Sequence, residues 1–252
     1  MALTLNPAWL EAVMLAVVRM VTFLVIAPPF SHRAVPARVK MAIALGLGLA
    51  VSPRVAEGYV PQSTAGFVTA LAQELLVGAV LGFLVLLVYS AISAAGTLID
   101  LFGGFSMAQV YDPQSMVNGA QFARLYAMAA TVLMFTSDAY QLIITGLTRS
   151  FDALPLGGGV DLAGPAQTIT EGVGQMFLAS LQIAGPLLAV LFLADVGLGL
   201  LTRVAPALNA FAMGFPLKIF LTVTLAGVMF VALPRVVAAL TDDAVDHLMG
   251  VS

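Results

Sequence analysis

Leu75 to Ile99 is a stretch of 25 residues without one charged side chain, closed by Glu74 at one end and Asp100 at the other. As a helix rising ~1.5 Å per residue it outreaches the ~30 Å hydrocarbon core of a bilayer. A second run, Gly172 to Ala194, is bracketed in the same way by Glu171 and Asp195. A water-soluble domain of this size has no use for that pattern. Charged residues make up 9% of the chain and hydrophobic ones 61%, against about 25% charged in ordinary soluble domains. Several helices must therefore face lipid.

The remaining composition narrows the chemistry. Ten basic and thirteen acidic residues are scattered singly, with no polybasic stripe, which argues against nucleic-acid binding. Without cysteine, disulfides, thiolate metal sites and Cys nucleophiles are excluded. Met1 to Trp9 lacks the basic start of a cleavable signal, so the first apolar segment is expected to be retained as a transmembrane helix. The fold class expected is an all-α polytopic membrane domain spanning residues 1–252.

Hydropathy draws six apolar segments, roughly Trp9 to Ala27, Val39 to Val51, Phe67 to Ile99, Leu125 to Leu147, Val173 to Leu201 and Phe211 to Leu233. Arg33, Arg38 and Lys40 crowd the first connection, while Arg203 and Lys218 occupy the last. With strict alternation, those connections are cytoplasmic and both termini lie outside. Pro36 to Val55 and Pro216 to Val236 share a weak pattern: each opens with Pro, meets a base, and runs apolar to Pro-Arg-Val. Two helices entered from the same basic side explain it, as does an ancient duplication. Gly78 with Gly82, and Ala91 with Ala95, are spaced four apart, placing each pair on one helical face where a neighbouring backbone can approach. Gly46, Gly48, Gly197 and Gly199 thin their helices in the same way.

Charges near apolar runs are where function shows, since one at a bilayer centre costs ~2.5–3.5 kcal/mol. The candidates are Arg19, Glu74, Asp100, Arg124, Asp138, Asp195, Arg203 and Lys218. Most sit near segment ends, but Arg19 and Asp138 lie inside apolar segments and are expected to face protein, a partner or a wet cavity. An intramembrane ion pair or helix-end anchor is the plain reading; a proton or ion relay is the sharper one. Gly103 to Gly119 mixes glycines, amides and apolar side chains around Asp112-Pro113. It reads as an ordered loop, either a surface connection or one buried in protein at membrane depth. No serine-hydrolase elbow, zinc-protease pair or phosphate-binding loop occurs. No enzymatic activity, cofactor or metal is expected.

The order of motifs carries a resemblance. Arg19 leads into Ala27-Pro28 and then Arg33-Ala-Val-Pro36-Ala-Arg38-Val-Lys40. Glu74-x-x-x-Gly78-x-x-x-Gly82 opens the third segment, which ends in Gly96-x-x-x-Asp100-x-x-x-Gly104 before Tyr111-Asp112-Pro113-Gln114. The last part carries Asp195-x-Gly-x-Gly199-x-x-x-Arg203-x-x-Pro206-x-x-Asn209 and Phe215-Pro216-Leu-Lys218. Over about residues 8 to 240 the chain resembles the FliR family of flagellar biosynthesis proteins and their SctT-type relatives (YscT, SpaR) of virulence secretion systems.

That resemblance implies a subunit of the type III export gate in the bacterial inner membrane, at the flagellar basal body. Its implied partners are membrane lipid, FliP-like and FliQ-like subunits and FlhB, with unfolded exported proteins in transit. It implies helical hairpins raised into a cone within a larger assembly, which questions the alternating topology above. It also implies a pore plug at Gly103 to Gln121, in which Gly103, Gly104 and Gly119 serve as hinges. Phe105, Met107, Val110 and Met116 would fill the lumen, beside the Asp112-Pro113 turn. Arg19, Glu74, Asp100, Asp138, Asp195, Arg203, Asn209 and Lys218 are the candidate intramembrane or inter-subunit polar contacts. An injectisome subunit is the alternative, and a stand-alone secondary transporter using Glu74, Asp138 and Asp195 is a further one.

Overall fold

A computed structural model describes residues 6–105, 121–158, 163–205 and 210–249; side chains are described for all of these except 163–166, 210–212 and 243–249. Among the described residues there is no strand, and seven helices account for most of the chain. They are α1 (Pro7–Ile26), α2 (Ala37–Val55), α3 (Thr64–Phe102), α4 (Gln121–Thr136), α5 (Ala139–Ala153), α6 (Ala163–Val204) and α7 (Ala210–Met249).

Local signals explain the boundaries. The Asn6 side chain accepts the Ala8 N–H at 3.1 Å and Pro7 opens α1, while Pro36 immediately precedes α2. The Ser63 hydroxyl accepts the Gly66 N–H at 3.2 Å, just ahead of α3. With 39, 42 and 40 residues, α3, α6 and α7 reach ~60 Å, about twice a hydrocarbon core.

Every apolar segment read from the sequence falls on helix, with two differences. The stretch Leu125 to Leu147 is broken: α4 and α5 meet at 76°, with Asp138 at the break in the left-handed region, φ 56°. Among the described residues four helices are individually long and apolar enough to cross a membrane, over Pro7–Ile26, Thr64–Phe102, Gln167–Val204 and Met213–Asp242, and the bent pair makes a fifth candidate. α2 is not among them, because Arg38, Lys40 and Arg54 lie within its 19 residues. An alternating topology with six crossings includes α2, which by length and composition is not a spanning candidate. The Pro-led repeat is also imperfect, since Pro36 precedes its helix whereas Pro216 lies inside α7.

The chain divides into two compact units, each assembled from separated segments. Residues 1–88, 134–173 and 240–252 make the first. Its core joins Leu15, Met20, Phe23 and Leu24 of α1 with Val77, Leu81 and Val85 of α3 and Ile143, Leu147 and Phe151 of α5. α1 packs along α2, where a Cβ added to Gly48 would lie 2.5 Å from Val17. It also lies flush on α3, since a Cβ on Gly78 would come within 2.5 Å of the Arg19 carbonyl oxygen, and one on Gly82 within 3.1 Å of that of Phe23. The Gly-x-x-x-Gly spacing is thus used for close backbone approach.

Residues 89–133 and 174–239 make the second unit. Its core gathers Ile92, Ala95 and Ile99 of α3, Ala123 and Tyr126 of α4, Leu187 and Leu191 of α6, and Leu233 and Val237 of α7. Here Gly96 admits the Ala123 backbone, 2.5 Å from where its Cβ would stand. Gly197 and Gly199, by contrast, have nothing among the described residues within 4 Å of their missing side chains.

Candidate functional site

In the first unit the buried charge is organised around Arg19. Its guanidinium, 1% exposed, sits 2.6 Å from the carboxylate of Glu74 through Nε. Nη1 donates to the Ser150 carbonyl and hydroxyl oxygens, both at 3.3 Å, and Nη2 to the Leu154 carbonyl at 2.8 Å. The guanidinium plane also covers Phe151, 4.0 Å from the ring centroid. Arg19 of α1 therefore caps the last carbonyls of α5, where the negative end of that helix lies, and is neutralised by Glu74 of α3. Through Leu154, the segment that follows α5 is tied to the guanidinium, and the backbone amide of Gly157, a residue at φ 69°, lies near enough to act on the Glu74 carboxylate.

Glu74 is the eleventh residue of α3 rather than a flanking charge, because the helix starts well before the uncharged run. Nearby, in the α2–α3 connection outside the spanning segments, the Gln62 N–H and the Tyr59 hydroxyl donate to Glu11 of α1 at 3.2 Å and 3.4 Å. Burial first, then the Glu11 charge and hydrogen bond, then the Glu74 charge raise the Tyr59 pKa above its usual 10.0.

In the second unit Asp100, 3% exposed, accepts the N–H groups of Phe122 and Ala123, one on each oxygen at 3.0 Å. A carboxylate from α3 thus satisfies two orphan donors at the start of α4, at the positive end of that helix. Phe105 packs edge-on against Phe122 with centroids 5.1 Å apart. A Cβ on Gly103 would lie 2.7 Å from the Thr222 hydroxyl, and Gly104, at φ 84°, lies against the Phe215 ring. Lys218 of α7 reaches Asp195 of α6 at 2.8 Å.

The sequence-derived residues separate accordingly. Arg19 with Glu74, Asp195 with Lys218, and Gly103 to Phe105 beside Asp100 are brought together. Asp138 joins none of these: it is exposed at the α4–α5 bend, where it accepts from Gln141 at 3.0 Å. Arg203 is exposed in the last turn of α6. Met107, Val110, Asp112, Pro113, Met116, Gly119 and Asn209 lie outside the described residues. Sequence reading missed Ser150, Phe151 and the Leu154 carbonyl, which no local spacing links to Arg19, and it missed the exposed Arg54–Asp152 pair at 2.6 Å. Among the described residues no three His, Asp or Glu side chains gather as metal ligands. The arrangement clamps helix ends and seals helix against helix.

Known proteins share this chain's sequence along most of its length. The profile of "Bacterial export proteins, family 1" matches residues 10–244. Flagellar biosynthetic protein FliR of Escherichia coli (strain K12) is 32% identical over 218 residues, covering 86% of this chain and 84% of its own. FliR of Bacillus subtilis (strain 168) is 30% identical over 94% of each chain. Yop proteins translocation protein T of Yersinia pestis is 26% identical over 70% of this chain and 69% of its own.

Proposed function

Because this chain belongs to family 1 of the bacterial export proteins, alongside the flagellar FliR proteins, we propose that it is an inner-membrane subunit of the flagellar type III export gate. Membership along nearly the whole chain carries the reading, and FliR of Escherichia coli and of Bacillus subtilis, at 32% and 30% identity over 86% and 94% of this chain, match it more fully than the virulence relative does at 26% over 70%. The exposed apolar helices support it. Only 22% of the spanning stretch of α6 and 17% of that of α7 is buried within this chain. Their faces, Gly197 and Gly199 included, fit companions such as FliP-like and FliQ-like subunits, with FlhB at the entrance. A carrier reading has less to work with, since Glu74 is bound to Arg19, Asp195 to Lys218, and Asp138 is exposed.

Such a subunit performs no bond chemistry. It holds helices in register around a path for unfolded chains, and residues 103–121 close that path in the resting state. Deleting the gene is expected to abolish filament assembly and export of flagellar proteins, with both restored from a plasmid. Cells that still swim, yet lose secretion of virulence proteins, would move the assignment to the injectisome, as the Yop relative allows. Deleting residues 106–120 is expected to raise ion leakage through the assembled complex; unchanged leakage with assembly intact removes the closure role alone.

A further inference from the structure

The α1–α2 connection and the first turn of α2 carry positive charge that no described acidic side chain neutralises. Arg33 and Arg38 are exposed and Lys40 partly so. From Ala12 to Ala56 there is no Asp or Glu, and among the described residues none of the three bases makes an ion pair.

The same helix presents an apolar stripe. Ala44, Gly48, Val51 and Ser52 of α2 are its buried side, whereas Met41, Leu45 and Leu49, spaced four apart on another, are 48–54% exposed. Stripe and bases are continuous along one short helix, which by length and composition is not among the spanning candidates. An occupant must therefore offer anionic groups beside apolar ones.

We infer that the exposed face of α2 is a lipid contact, with Arg33, Arg38 and Lys40 seated at the headgroup level and selecting anionic phospholipids. Charge complementarity commits the face to that occupant: among the described residues the patch has no counter-charge, and an anionic phospholipid brings a phosphate and acyl chains to the two adjoining halves. The inference depends on the chain being a membrane protein and not on its role in export.

The cysteine-free chain makes the test clean. Ala34→Cys, exposed in the connection, takes one environment-sensitive fluorophore on the full-length protein, purified with any companion subunits. The sample is reconstituted into phosphatidylcholine vesicles doped with either brominated phosphatidylglycerol or brominated phosphatidylcholine. Brominated phosphatidylglycerol is expected to quench the label several-fold more effectively at low salt. Each of Arg33→Gln, Arg38→Gln and Lys40→Gln is expected to cut that preference by up to ~fivefold. Because losing a base can disturb insertion, the second arm uses the labelled chain with all three bases intact. Its preference should fall towards unity as salt is raised to ~1 M, where charges are screened within about 3 Å. Equal quenching by the two lipids, or a preference indifferent to salt, overturns the inference. A label shielded from both lipids and crosslinking to a companion subunit overturns it in favour of a protein on this face.

Discussion

Replacing Arg19 by Leu removes a base from a site where its partner Glu74 is 2% exposed. Breaking a buried ion pair from one side costs about 3–5 kcal/mol, because the surviving charge has neither water nor partner. Glu74→Leu leaves the converse orphan, at a similar cost. If the two residues acted independently, the double variant would lose the sum, ~6–10 kcal/mol. The structure says otherwise. Replacing both members of such a pair by apolar groups is close to neutral, so what remains is the loss of donors to two carbonyls, Leu154 at 2.8 Å and Ser150 at 3.3 Å. Unsatisfied buried carbonyls cost ~1–3 kcal/mol each; the Ser150 bond is long and belongs at the lower end. The double variant should therefore lose about 3 kcal/mol, and the coupling energy should be at least about 3 kcal/mol. Thermal unfolding of the purified protein and its three variants in detergent measures the cycle. At ~2–4 °C per kcal/mol for a chain of this size, each single variant drops by roughly 6–20 °C while the double variant recovers part of its loss. Additive losses, or single variants within about 1 kcal/mol of the parent, would refute the buried-clasp reasoning. Arg19→Lys keeps the charge but not the planar fork over Phe151, and belongs between the parent and Arg19→Leu.

Asp100→Ala leaves the Phe122 and Ala123 amides without acceptors and should cost about 1–3 kcal/mol. Asp100→Asn, which keeps one acceptor oxygen, should lose less on the same unfolding curve. Gly96→Ala places a Cβ 2.5 Å from the Ala123 backbone and should destabilise the purified chain by ~1–3 kcal/mol. Gly197→Ala meets nothing within 4 Å among the described residues and should leave the purified chain as stable or up to ~1 kcal/mol more so. If a companion packs there, the same change lowers recovery of the complex in a pull-down. Arg54→Gln breaks a pair whose side chains are 60% and 49% exposed, and should shift stability by less than ~1 kcal/mol, shrinking further with salt. A larger effect would mean that pair is shielded in the assembly.

Helices were legible because their cause is local. Uncharged runs longer than a bilayer, Pro at helix starts and glycines four apart each state a constraint that one helix settles alone, and α1, α3, α6 and α7 follow from them. The α4–α5 break was missed because hydropathy averages over Thr136-Ser137-Asp138, a polar triplet whose last member adopts the left-handed backbone at little cost. α2 was over-read for the opposite reason. Its apolar centre looks like a span until the bases at both ends are counted within the helix.

The clasp was half legible, and the missing half is a matter of sequence separation. That a lone Arg in an apolar segment needs company follows from desolvation. Which groups supply it does not: Glu74 is 55 residues away, and Ser150 and Leu154 are 131 and 135 away. Two of the acceptors are main-chain carbonyls, which every residue possesses and no residue type advertises. They are open to Arg19 because α5 ends there, and the bend at Asp138 shortens α5 to 15 residues. Within the first unit, the start of α5 just after Asp138 sets where its C-terminus falls, and that end supplies the acceptors of Arg19. A change that disturbs the start of α5 should accordingly reproduce part of the loss seen in Arg19→Leu. Asp138→Leu, which disfavours the left-handed backbone without touching the clasp, tests this: loss in the parent but little further loss in the Arg19→Leu background is the expected pattern, and full additivity would separate the two features.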